Sequence, residues 1–243
     1  MKKFILSDLH IGLKYAQYDV MDQAIGYIRK NAEPGDEILG LGDWFHIYES
    51  GFDHCISHPM TQKFLDLARE IPTRLVPGNH DRELGKYRDN PGLGNPIRPI
   101  TIIKPFIEKG IWYCHGHIYD PSVTDLPSQF MWIWNHLWGR TTPGSLKSDF
   151  ITQRYLMLVY FVHSRALLSI EEKTKKEHPE CRGIVLGHTH MPLHQDSPGL
   201  PFLLNAGDMR HSSTFSQEDD VNFYQLTWGA AQKQWEVMTI PRP

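Results

Sequence analysis

The sequence predicts an α/β fold built on a mixed sheet or on two sheets packed together. Three observations predict it. Short apolar runs recur along the chain with turn residues at their ends. The first three runs are separated by stretches of helical spacing, the rhythm of parallel strand–helix units. Later runs come in pairs joined by tight turns, which reads as hairpins. The length of 243 residues fits one domain, or one domain with an insertion.

The elements follow in order. Residues 2–7 are strand-like. "MKKFIL" resembles the start of a signal peptide, but Ser7, Asp8 and His10 break an apolar run too short for a leader. Residues 17–31 carry Val20, Met21, Ala24, Ile25 and Ile28 at helical spacing and stop before the turn "EPGD". "EILGLG" (37–42) is a second strand, 60–70 a helix, and "TRLVPG" (73–78) a third strand. Residues 100–116 read as a hairpin with Lys109-Gly110 at its turn, 182–187 and 201–207 as short strands, and 221–240 as a closing hairpin. Residues at about 120–180 break this rhythm. They hold the aromatic stretch 128–140 and a long helical pattern over 145–177, opened by Ser145 and Asp149 and closed by lysines, in agreement with the helix dipole. We read them as a helical insertion in a single domain spanning 1–243.

Composition narrows the function. The net charge of −3 gives no sign of a general nucleic-acid binder. Cys55, Cys114 and Cys181 lie far apart, so they are expected to be core thiols of a reducing compartment and not a disulfide frame. No segment of about 18 apolar residues is present, so no membrane span is expected. The 14 histidines are the oddity, because imidazole serves as ligand, acid or base near neutral pH.

Those histidines gather with carboxylates at strand ends. The first strand ends in "SDLH" (Asp8, His10), the second in "GDWFH" (Asp43) and the third in "PGNHD" (Asn79, His80, Asp81). "CHGH" gives His115, and "GIVLGHTH" gives His188 and His190. Strand ends on one edge of an α/β sheet line one crevice, so these distant positions can converge. Asp8, His10, Asp43, Asn79, His115, His188 and His190 offer carboxylate, imidazole and amide donors without thiolate, which suits Mn, Fe, Zn or a similar divalent ion. Seven donors exceed the need of one tetrahedral ion. Two ions about 3.5–4 Å apart, bridged by Asp43, would use them all, clamp a phosphoryl group and activate a hydroxide for in-line attack. His80 is placed to assist the leaving oxygen, and Asp81 to orient His80. Any one such histidine is more often a core residue, but the ordered set is not explained that way.

"SDLH", "GD", "GNHD", "HGH" and "GHTH", in this order, resemble the motifs of the calcineurin-like metallophosphoesterases; "GNHD" and "GHTH" are the distinctive ones. The resemblance spans residues 8 to 190 outside the insertion. It implies an αββα four-layer sandwich of two mixed sheets with a dinuclear metal centre. One metal would take Asp8, His10, Asp43 and His190, the other Asp43, Asn79, His115 and His188. Many members carry an acidic residue three positions after the bridging aspartate; this chain has His46, which we leave outside the ligand set. Asn205 and Gly207 match a structural stretch that follows the last histidines. The implied function is hydrolysis of a phosphoester or phosphoanhydride bond of a small phosphorylated substrate, nucleotide- or lipid-linked, by a cytoplasmic enzyme. The rival is a metal-bearing scaffold that binds proteins without catalysis, but scaffolds tend to lose ligands or the catalytic histidine, and here every position is filled.

The insertion and "HGHIYDP" also resemble the group around UDP-diacylglucosamine pyrophosphatase, which buries acyl chains under a helical cap. Phe130, Trp132, Trp134, Trp138, Tyr155, Tyr160 and Phe161 would line such a cap, which would also admit a peripheral membrane contact. Ordinary helix packing is the alternative. Arg140, Arg154, His163 and Arg165 are candidates to meet a substrate phosphate. That group carries arginine at the position of His80.

Overall fold

The computed structural model describes residues 1–119, 167–196, 199–209 and 212–243. The chain divides into two compact units, one of Met1–His115 with Glu180–Pro243 and one of Gly116–Pro179. The first unit carries strands β1 (Lys3–Leu6), β2 (Glu37–Leu41), β3 (Thr73–Val76), β4 (Thr101–Ile102), β5 (Phe106–Glu108) and β6 (Ile111–Tyr113). After the second unit come β7 (Gly183–Leu186), β8 (Leu193–Gln195), β9 (Phe202–Asn205), β10 (Thr214–Glu218), β11 (Asn222–Gly229) and β12 (Gln234–Pro241). They form a seven-stranded sheet in the order β12-β11-β10-β1-β2-β3-β4 and a five-stranded sheet in the order β5-β6-β7-β9-β8. Both sheets are mixed. β1–β4 run parallel and β10–β12 antiparallel in the first; β6, β7 and β9 run parallel, with antiparallel edges, in the second.

Side-chain alternation along the strands sorts two cores. Phe4, Leu6, Ile38 and Leu75 face helices α1 (Tyr18–Asn31) and α4 (Pro59–Glu70), in one cluster with Met21, Ile25, Phe64 and Leu67. Ile5, Leu39, Leu41 and Val76 face the other way and pack on Tyr113, Val185 and Leu204 of the second sheet. The expected α/β class, with two mixed sheets and helices, is the one observed. α1 has the expected stripe, with Asp19 in its first turn and Arg29 and Lys30 in its last. α4 starts at Pro59, and the His58 ring caps it by accepting from the Met60 amide at 3.1 Å. The short helices α2 (Ile47–Ser50) and α3 (Phe52–Ser57) join β2 to α4.

Charged contacts tie the two sheets at the edge where the parallel strands begin. Glu108 meets Lys3 at 2.7 Å and Arg74 at 3.8 Å, and the Tyr113 hydroxyl donates to Glu218 at 2.6 Å. The opposite edge is left for the loops that leave the strands.

One element differs from expectation. The hairpin expected over 100–116 covers only β5 and β6, turning at Lys109 and Gly110. Thr101 and Ile102 pair with Arg74 and Leu75 in the first sheet, so the chain crosses between sheets at residues 103–105. Pro105 cannot donate to a ladder, and the crossing falls there. The three cysteines are free and buried.

In the second unit, residues 167–177 are helical, with Leu167, Ile170, Glu171 and Thr174 buried on one face. The Tyr119 hydroxyl donates to Glu177 at 3.0 Å, and Ser169 donates to the Tyr119 carbonyl at 3.1 Å. The aromatic stretch 128–140, the pattern from 145 to 166, and Arg140, Arg154, His163 and Arg165 lie outside the described residues. Among the described residues no helix is long and apolar enough to cross a membrane.

Candidate metal centre

Five parallel strands, three from the first sheet and two from the second, deliver the predicted ligands from their C-terminal ends. Asp8 and His10 follow β1, Asp43 follows β2, and Asn79 and His80 follow β3. His115 follows β6, and His188 and His190 follow β7. The loops after β1 and β2 stay in register beyond the sheet: the amides of Asp8, His10 and Ile11 donate to the carbonyls of Gly42, Asp43 and Trp44 at 3.0, 2.9 and 2.8 Å.

Asp8, His10, Asp43, His188 and His190 all adopt positive φ, between 50° and 74°. For residues with a Cβ the left-handed region costs on the order of 1 kcal/mol or more each, and such strain persists where the surroundings impose it, as at functional sites. Here each kink turns a side chain from the strand direction into the crevice. Close backbone approach makes the kinks possible. A Cβ on Gly42, itself at φ 82°, would strike the His115 ring, and one on Gly187 would strike Ser7 and Asp8.

The side chains lie close together. His190 Nε2 lies 3.4 Å from Asp8 Oδ1 and 3.2 Å from His10 Nε2. His115 Nε2 lies 3.2 Å from both Asp43 Oδ2 and Asn79 Oδ1. The rings of His115 and His188 are 5.1 Å apart, and the His188 amide donates to Asp8 Oδ2 at 2.8 Å. The Ser7 hydroxyl also donates to Asp8 Oδ2, leaving Asp8 Oδ1 buried without a hydrogen-bond partner. The groups Asp8, His10, His190 and Asp8, Asp43, His115 each converge tightly enough to hold one ion.

Hydrogen bonding fixes which nitrogens face inward. His115 Nδ1 donates to the Leu41 carbonyl at 2.7 Å, and His190 Nδ1 donates to Asp208 Oδ2 at 2.8 Å. With their protons spent outward, both rings present a bare Nε2 to the centre. Nε2 of His10, His190 and His115 lies within 4 Å of an oxygen of Asp8 or Asp43, and Asn79 Oδ1 faces His115 Nε2. Acceptors crowded on acceptors in a dry pocket repel one another unless a positive charge lies among them. Without a cation the pocket gathers protons in its place. Burial resists charge on His115, but Asp43 beside it raises its pKa to about 10. Burial also resists ionisation of Asp43, yet His115 and its neighbours hold it well below the usual carboxylate range. The pocket demands cations, and its donor set fits divalent metal ions.

His80 sits at the rim. Its amide donates to Asp43 Oδ1 at 2.8 Å, and its Nε2 lies 3.9 Å from Asp43 Oδ2. Burial pushes its pKa down to about 4, so the ring is neutral at pH 7. The expected hold of Asp81 on His80 is not made. Asp81 accepts instead from the amides of Gly78, Trp44 and Phe45 at 2.6, 2.8 and 3.4 Å, and His80 Nδ1 has no hydrogen-bond partner. The Asp81 carboxylate faces backbone donors because the third loop folds back over the second; it clamps the two loops together.

One contributor, Asp208, was missed, and two residues singled out in the sequence, Asn205 and His46, take up places beside the ligands. Asp208 orients His190, and it lies after β9, where the strand-end logic that located the others would have found it. Asn205 donates to the Gly187 carbonyl at 2.9 Å and to the Thr189 hydroxyl at 2.6 Å, which pins the loop bearing His188 and His190. His46 holds His10, its Nδ1 lying 2.9 Å from His10 Nδ1.

A site of this kind, at the shared edge of two mixed sheets, could hold divalent metal ions. Residues 1–192 match the family model of the calcineurin-like phosphoesterases, and the chain belongs to that family. Two solved structures share its fold. One is vacuolar protein sorting 29 from Cryptosporidium parvum, at 14% identity and TM-score 0.50, covering 98% of this chain and 95% of that one. The other is a dimetal phosphatase from Danio rerio, at 10% identity and TM-score 0.50, covering 100% and 99%. No curated protein sequence gives a significant match.

Proposed function

We propose that this chain hydrolyses a phosphoester or phosphoanhydride bond of a small substrate at a two-cation centre. Asp8, His10, Asp43 and His190 form one half and Asp43, Asn79, His115 and His188 the other. The observation that carries this reading is the inward set of bare acceptors, with His10 Nε2 and His190 Nε2 3.2 Å apart beside the unpartnered Asp8 Oδ1. Bound divalent ions supply charge neutralisation at phosphorus and an acidified water. The fold alone does not decide, since a sorting protein and a phosphatase resemble it equally; the complete donor set favours the enzyme.

The chain's own residues divide the remaining work. Asp43, whose Oδ1 is held by the His80 amide, keeps Oδ2 toward the centre and would be the side chain that two cations share. The imidazoles of His115 and His190, locked by Leu41 and Asp208, cannot turn away. His80 is neutral and only partly buried, so it offers an N–H to a phosphoryl or leaving oxygen. The positioning of phosphorus among these fixed groups lowers the entropic part of the barrier.

The test pairs elemental analysis with turnover of a chromogenic phosphodiester, a phosphomonoester and a nucleoside diphosphate conjugate in Mn²⁺. Two equivalents of metal with chelator-sensitive turnover on any of the three support the reading. Two equivalents with no turnover on the whole panel would favour a scaffold.

A further inference from the structure

We infer that His46 and Glu49 form an outer relay that fixes the orientation and proton position of His10. This deepens the proposed function and rests on His10 being a ligand. His46 Nδ1 lies 2.9 Å from His10 Nδ1, and His46 Nε2 lies 3.3 Å from Glu49 Oε2. Both histidines are buried, whereas Glu49 is exposed.

The direction of the relay follows from valence. A neutral imidazole carries one proton, on one nitrogen. His10 Nε2 faces His190 and Asp8, so a cation there needs its lone pair. The proton of His10 therefore sits on Nδ1 and is donated to His46 Nδ1. His46 Nδ1 is then an acceptor, which puts the His46 proton on Nε2, facing the Glu49 carboxylate. The chain runs from His10 Nδ1–H to His46 as a hydrogen bond, and from His46 Nε2 to Glu49 as a charge contact at 3.3 Å. A carboxylate held one residue away makes His46 a better acceptor, and His10 a more basic ligand.

This differs from the arrangement at His190 and His115, which lean directly on a carboxylate and a backbone carbonyl. It gives a use to the position where an acidic residue was expected. His46 also stacks on His80, with ring centroids 4.3 Å apart and planes 23° apart. One side chain thus steadies a ligand and the catalytic histidine together, which makes His46 a positioning residue.

The experiment uses the full chain loaded with Co²⁺, followed by visible absorption during chelator competition, so turnover is not needed. His46→Phe keeps a ring against His80 and removes the acceptor. His46→Asn places Oδ1 where Nδ1 stood and restores it. Glu49→Gln weakens the outer link at an exposed position, which does not threaten folding. The expected result is that His46→Phe releases one of two ions roughly 10–100-fold more readily, with an altered Co²⁺ spectrum. His46→Asn should stay within about three-fold of the parent, and Glu49→Gln should show a smaller loss with the same sign. If the parent binds two ions and both His46→Phe and Glu49→Gln hold them as tightly, the relay is overturned and the two-cation centre stands. A parent that binds no Co²⁺ overturns both.

Discussion

Asp43 lies deep in the centre, touching His115, His80 and the amide of His80 from a buried position. Asp43→Ala is expected to lose both ions and all turnover, because each half of the centre depends on it. Metal content by elemental analysis separates this from a simple catalytic defect: an Asp43→Ala protein with two equivalents of metal would refute the bridge. His80→Ala should keep both ions and lose about 10²–10⁴-fold in kcat, the usual worth of a positioned proton donor. Asp81, beside it, belongs to a different class. It holds three backbone amides, so Asp81→Ala leaves buried donors without acceptors and should cost on the order of 1–3 kcal/mol in stability for each one stranded. A thermal melt of the metal-free protein checks this, and an unchanged melting temperature would return Asp81 to a role at His80.

At the scale of elements, what could be read beforehand depended on what a strand buries. β1, β2, β3 and β7 are covered on both faces, so each reads as an apolar run, and the polar residue that ends it stands out. β10 was invisible for the opposite reason. Its sequence TFSQE buries Thr214, Ser216 and Glu218. Thr214 meets the Thr227 hydroxyl at 3.0 Å and Glu218 takes Tyr113 and Arg242, whereas Ser216 Oγ is buried without a hydrogen-bond partner; with polar residues on the buried face, no hydropathy signal remains. α2 and α3, at four and six residues and divided by Gly51, are too short to show a period. The helical residues 167–177 carry an element-scale consequence. Glu171 lies on their buried face without a hydrogen-bond partner, and burial raises its pKa to about 7. A carboxyl raised above its unfolded value binds its proton more tightly when folded. Its contribution is therefore intact below about pH 4.5 and is lost as pH rises through about 7. Glu171→Gln should melt like the parent at pH 4.5 and higher than the parent at pH 8, by on the order of 1–3 kcal/mol. Equal melting temperatures at pH 8 would show that the carboxylate is solvated.

The whole molecule is arranged around one edge. Two sheets packed through Leu39, Leu41, Val185 and Leu204 bring both sets of parallel strand ends to the same side. Ion pairs of Lys3, Arg74 and Glu108 close the other side. Packing thus gathers carboxylates and imidazoles in a buried place where desolvation resists their charges, and backbone strain at five of those residues adds to the cost. The hydrophobic cores must offset that cost in the metal-free protein, whereas bound ions would convert it into attraction. Ions that bind the folded chain alone stabilise it by mass action, about 2.7 kcal/mol at 100 times Kd. For a chain of this size each kcal/mol moves Tm by about 2–4 °C. Saturating Mn²⁺ should therefore raise Tm by roughly 5–11 °C over the chelated protein. The rise should vanish in Asp43→Ala and persist in His80→Ala, since in the proposed centre the two cations would share only the first of these side chains. A metal-independent Tm in the parent would mean that protons alone, on His115 and His190, neutralise the pocket.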